Sequence, residues 1–171
     1  MKKLSFIALS VLLILCCITA AAEYTNDAQS MTQLINNVCT GMTLNEAKVY
    51  VVGEYHIVNY EPIDGFVDET DAIRKGISNY INYAREAYQL DGVQSITANM
   101  YLTMIDTKGN KEKVQALRIA MGKEYFESFK WENLENKSVP IFSEFMNNCY
   151  DFSIHPGIWK RVNEEEIYYI K

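Results

Sequence analysis

The chain has 171 residues, 49% of them hydrophobic, and a formal net charge of −6 at pH 7. Its length suits one domain with enough apolar material for a core. The acidic balance argues against nucleic acid or an anionic membrane surface as partner, because both need a basic stripe.

The N-terminus comes first. Lys2 and Lys3 precede an apolar run over 4–18, and Ala20, Ala21 and Ala22 follow. A short positive head, an apolar stretch too short to span comfortably and small residues for cleavage read as a secretory signal over 1–22. Residues 23–171 then form a single globular domain, exported to the periplasm or beyond, and loss of Lys2 and Lys3 takes the net charge from −6 to −8. No second apolar run of about 18 residues follows, so no later membrane span is expected. Cys16 and Cys17 lack the small preceding residue that a lipid-anchor signal needs, so they read as part of the apolar run. The mature protein is therefore expected to be soluble.

Cys39 and Cys149 remain. An even count in an oxidising compartment predicts a disulfide between them. It would close a loop of about 110 residues and contribute roughly 4–5 kcal/mol in the chain-entropy account. The alternative is two buried free thiols.

The spacing of Met31, Leu34, Ile35 and Val38 predicts a helix over 27–39, stopped by Gly41. Thr43, Leu44, Asn45 and Glu46 match a capping box opening a second helix, with Leu44, Ala47, Val51, Tyr55 and Val58 on one face. Gly53 and the β-branched run at 49–52 suit a strand instead. A loop follows at 61–66. Thr70 or Asp71 then caps a helix running to about Leu90, with Ile73, Ile77, Tyr80, Ala84, Ala87 and Tyr88 on its stripe. Segment 96–105 fits either period. Ile96, Ala98, Met100, Leu102 and Met104 alternate as in a strand, whereas Met100, Tyr101, Met104 and Ile105 share a helical face. Helix is the favoured reading. Further helices are expected over 111–130 (Val114, Leu117, Met121, Tyr125, Phe129), from Pro140 (Ile141, Phe142, Phe145, Met146, Cys149) and after Pro156. The expected fold is mainly α: six to seven helices stapled by the disulfide. The alternative is α+β, with a small antiparallel sheet around 96–120 and a hairpin turn at 106–110.

Chemistry-bearing residues are sparse. Glu54 and His56 would share a face on a strand, as an acid/base pair or two metal ligands, but point apart on a helix. The bland alternative is a partly exposed polar side chain. His155 precedes Pro156 at a helix start, where a structural role is the default. The sequence contains no GxSxG, GxGxxG, phosphate loop or zinc spacing. No catalytic residue, metal or cofactor is therefore expected, and the chain reads as a non-enzyme. Glu164, Glu165 and Glu166 read as a solvated face or as an acidic patch for a basic protein partner. Most of the twelve tyrosines are expected in the core, while Tyr60, Tyr83 and Tyr168 are candidates for a protein-binding face. Asn136, Lys137 and Ser138 form a glycosylation sequon, relevant to a eukaryotic source.

Two short stretches resemble a known family. Asn148, Cys149, Tyr150, Asp151 and Phe152 precede His155, and Cys39 leads into Thr43, Leu44, Asn45, Glu46, Ala47 and Lys48. These are similar to the late and early cysteine segments of periplasmic immunity proteins that neutralise type VI secretion amidases, the Rap/Tai domains. The paired early cysteines of that pattern are absent. The resemblance implies an exported protein that plugs the active-site cleft of a peptidoglycan amidase. The second functional reading is a periplasmic carrier of an apolar ligand or a lipoprotein-sorting-like protein. It is tied to the α+β alternative, because its sheet would use 96–105.

Overall fold

The computed structural model describes residues 24–105, 108–134, 141–167 and 169. The stretch read as a signal, the sequon and Tyr168 lie outside the described residues. Element order is α1 (Ala28–Val38), β1 (Thr43–Val52), β2 (Tyr55–Asp64), α2 (Glu69–Ala87), β3 (Ser95–Ile105), β4 (Lys111–Gly122), α3 (Lys123–Ser128), α4 (Trp131–Leu134), α5 (Phe142–Asn148), β5 (Asp151–Ile154) and α6 (Pro156–Trp159), then a 3₁₀ turn at Glu164–Glu166. The strands form one five-stranded sheet in sequential order β1-β2-β3-β4-β5. Its β2–β3 pair is parallel and joined across α2, and the other pairs are antiparallel.

This architecture corrects the mainly α expectation: the molecule is α+β. The antiparallel pair named as the alternative is present as β3–β4, within a larger mixed sheet. Three segments read as helices are strands. In 43–58 the β-branched residues prevail. Thr43 and Glu46 begin β1 instead of capping a helix, and Val49 pairs with Val58. Gly53, at φ +60, opens the two-residue turn to β2 and supplies the positive φ that a II′ hairpin turn needs first. In 96–105 the period-two reading prevails. In 111–122, Leu117, Ile119 and Met121 satisfy the sheet pattern, while Leu117 and Met121 also lie at helical spacing, so both templates fitted.

Four predicted helices are present, α1 and α2 nearly as expected and α5 after Pro140 and α6 at Pro156 in shorter form. Asp27 caps α1, its carboxylate accepting from the Gln29 and Ser30 amides at 2.9 Å. α2 is capped by Asp68 and not by Thr70 or Asp71 as expected: the Asp68 carboxylate accepts from the Asp71 amide at 2.8 Å, which places Thr70 and Asp71 within the first turn. α2 is the central helix. Ile73, Ile77, Ile81, Tyr83 and Ala84 are buried on it, because the sheet covers one flank and the α3–α5 region another. Tyr80 meets Phe126 and Phe145 edge-on, and Trp131 lies against Phe126 and Phe145. Gly76 permits the close approach to the sheet, since a Cβ there would come within 2.8 Å of Leu117 Cδ2.

The disulfide expectation is also corrected, because Cys39 and Cys149 are both free thiols. Cys39 ends α1, beside β1, and its sulfur accepts from Asn79 Nδ2 at 3.0 Å. Cys149 ends α5 and leads into β5. β1 and β5 are the opposite edges of the sheet. Strands lie about 4.8 Å apart, whereas a disulfide needs Cα atoms within roughly 7 Å. Burial pushes both thiols up to about 12, so they stay protonated.

Candidate functional site: the open face of the sheet

Alternation sends successive strand residues to opposite faces. One set, including Val49, Val58, Tyr60, Ile96, Met100, Leu117 and Ile119, is buried in the core beneath the helices. The other set points away from it. Pairing places Lys48, Asn59, Asn99, Arg118 and Ser153 in one row across all five strands. Its centre is hydrogen-bonded throughout. Asn99 Nδ2 donates to Asn59 Oδ1 at 2.8 Å, Arg118 Nη1 donates to Asn99 Oδ1 at 2.9 Å, and Arg118 Nε donates to Asp151. Asn99 is buried at the centre of the row, so these bonds fix its amide and the Arg118 fork above it.

Beside this row Glu61 accepts from Lys113 Nζ at 2.8 Å and from Asn45 Nδ2 at 3.2 Å. The Lys113 contact, then Asn45, hold the Glu61 carboxyl below its ordinary value, and Glu61 in turn holds Lys113 above its own. Both stay charged near neutral pH. Lys113 lies 5.5 Å from the Tyr101 ring centre and Lys48 4.9 Å from that of Tyr50, both within cation–π range. These side chains, with Glu46, line a shallow hollow of about 170 Å³. Around it Tyr50 is 42% exposed, Tyr55 58% and Ile57 37%, so neighbouring large side chains meet water on this face.

A second concavity of about 440 Å³ opens where β2 and β3 end near the start of α2. Ile63, Phe66, Val67, Leu102, Ile105 and Ile158 supply its apolar wall, and Arg161, paired with Glu69, stands at its rim.

The residues singled out by sequence fall elsewhere. Glu54 is exposed in the β1–β2 turn. His56 is buried on the inner face and bonded to Tyr83 and Asn26, so the two form no acid/base pair. His155 caps α6, its Nδ1 accepting from the Gly157 amide at 3.2 Å. Glu164, Glu165 and Glu166 are exposed on the 3₁₀ turn, which packs beside α2 in the helical layer. Tyr60 and Tyr83, considered for a binding face, are core residues. Sequence reasoning missed Tyr50, Ile57, Asn59, Asn99, Tyr101 and Arg118. The alternation over 55–61 was the signal for Ile57 and Asn59, and it was hidden once 43–58 was read as helical.

Among the described residues, no three His, Cys, Asp or Glu side chains converge as a metal site, and no helix is long and apolar enough to cross a membrane. No protein-family model, curated protein or solved structure matches the chain.

Proposed function

We propose that this is an exported, non-catalytic binding protein that engages a protein partner through the open face of its sheet. The observation that carries this reading is the pairing of a fixed polar row (Asn59, Asn99, Arg118, Asp151) with exposed Tyr50, Tyr55 and Ile57 on one uncovered surface. Tyrosine and arginine are the side chains that protein interfaces favour. Here the strands hold them rigidly, which lowers the ordering cost of association. The net charge of −6, or −8 after loss of the signal, favours encounter with a basic partner. A secreted peptidoglycan amidase, blocked in the manner of an immunity protein, is the specific partner that the sequence resemblance suggests.

The test is genetic and biochemical. Deleting the gene should sensitise cells to the hydrolase encoded beside it, and the wild-type gene should restore resistance. A variant carrying Tyr50→Ala and Tyr101→Ala should fold but fail to restore it. A deletion strain with no sensitivity, together with no binding of that hydrolase by the purified chain, would sink the proposal.

The concavity of about 440 Å³ favours a second reading, carriage of a small apolar ligand. Displacement of a fluorescent fatty acid by Ile63→Asp or Leu102→Asp would support it, and no fatty-acid binding would remove it.

A further inference from the structure

His56 lies on the inner face of β2, opposite Val51 on β1 and Ile96 on β3. It is 1% exposed, and both ring nitrogens are engaged. Nε2 is 2.7 Å from Asn26 Oδ1, just ahead of α1, and Nδ1 is 3.0 Å from the Tyr83 hydroxyl of α2. The Asn26 amide is oriented by its other end, where Nδ2 donates to the Asp91 carbonyl at 3.1 Å. Its Oδ1 therefore faces the ring, and an amide oxygen only accepts. Nε2 must then carry the hydrogen, which leaves Nδ1 to accept from Tyr83. The neutral ring satisfies every group in the chain Tyr83–His56–Asn26–Asp91.

A proton on Nδ1 would make the Tyr83 oxygen the acceptor and leave the hydroxyl's own hydrogen to find another partner. Tyr83 is buried, and among the described residues its hydroxyl has no second acceptor. Burial also holds Tyr83 well above its ordinary value, so it does not ionise to relieve the conflict. No carboxylate faces the ring. Val51 and Ile96 are apolar. Asp27 is committed to Thr25 and to the α1 cap, Asp91 contributes its main-chain carbonyl, and Glu54 is exposed in the turn. The ring can reach water only past Asn26, which is half-buried, because the Tyr83 side is core.

We propose that His56 is an acid-sensitive latch: its protonated ring is disfavoured in the closed site, and the ring reaches water by opening the Asn26 side, which frees the segment 24–27 from β2 while the β3–β4 core stays folded. Loss of hydration, which already lowers the proton affinity of the buried ring, acts in the same direction. The released stretch runs into α1, so acid would loosen the N-terminal edge of the domain without unfolding it. This device is independent of what the sheet face binds.

Amide hydrogen exchange of the purified chain at pH 7.5 and pH 5.0, corrected for intrinsic rates, tests it. Residues 24–30 should lose protection about tenfold or more at the lower pH, while 96–105 and 114–121 keep theirs. Asn26→Ala, a substitution at the half-buried side of the latch, should expose 24–30 at both pH values and abolish the step. His56→Gln, which carries a donor and an acceptor but does not titrate, should show no step either. Equal protection of 24–30 at both pH values in the wild type would overturn the proposal. So would a step that survives in Asn26→Ala, or a loss spread evenly over the core strands.

Discussion

The two faces of the sheet are made by the same strands and differ in almost everything else. On the inner face, Val58, Ile96, Met100 and Ile119 are buried against α2. On the outer face, residues one step away carry a hydrogen-bonded polar row and half-exposed tyrosines. Inner residues answer to packing density and tolerate little change. Outer residues owe the fold only modest energy, so their identities are free to serve recognition. Stability and binding should therefore separate by face.

The largest expected effect lies at the inner contact. Ile77→Ala removes a fully buried side chain from α2 and should cost about 2–5 kcal/mol, read as a fall in the urea midpoint. Gly76→Ala comes next. Its Cβ would meet Leu117 and Met100, and the overpacking should cost about 1–3 kcal/mol by the same measurement. An equally large loss from Arg118→Ala on the outer face would break the comparison. That ion pair is partly exposed, and its removal should cost no more than about 1 kcal/mol.

Acid should also act through the inner side. The proton affinity of His56 is lowered by burial from an ordinary value of 6.5. Below that value the unfolded chain binds the proton more readily, so stability should be full above about pH 6.5 and fall as pH drops. Urea midpoints at a series of pH values should show this decline in the wild type and a smaller one in His56→Gln. Asp71 adds a lower step. Burial raises its carboxyl, but Lys75, the Val67 amide and Arg74 together outweigh that and hold it below 3.8. Its contribution is present above that value and is lost as pH falls further. The smallest effect is a null one: with two free thiols, a reductant should leave the midpoint unchanged.

The longest helices were legible in the sequence. α1 and α2 announced themselves by unbroken apolar stripes, although the residue that caps α2 is Asp68 and not Thr70 or Asp71. The strands were obscured by residues that satisfy two periods at once, such as Leu117 and Met121 in β4 or Met100 and Met104 in β3. A capping-box pattern at 43–46 added a false helix start, because the pattern alone does not test whether a helix follows. The open face was unreadable for the same reason, since its rows exist only across paired strands. Cys39 and Cys149 show a different limit. Compartment chemistry pointed to a bond, but the distance between sheet edges, which decides the matter, is not written in local sequence.

On the proposed function, the outer face of the sheet, and not the acidic turn at Glu164–Glu166, meets the partner. Photo-crosslinking residues placed singly at Ile57, Tyr101 and Glu165 in the full chain, in its native cells, test this most directly. Positions 57 and 101 should capture one and the same protein and position 165 none. Capture from position 165 with nothing at 57 and 101 would contradict the account.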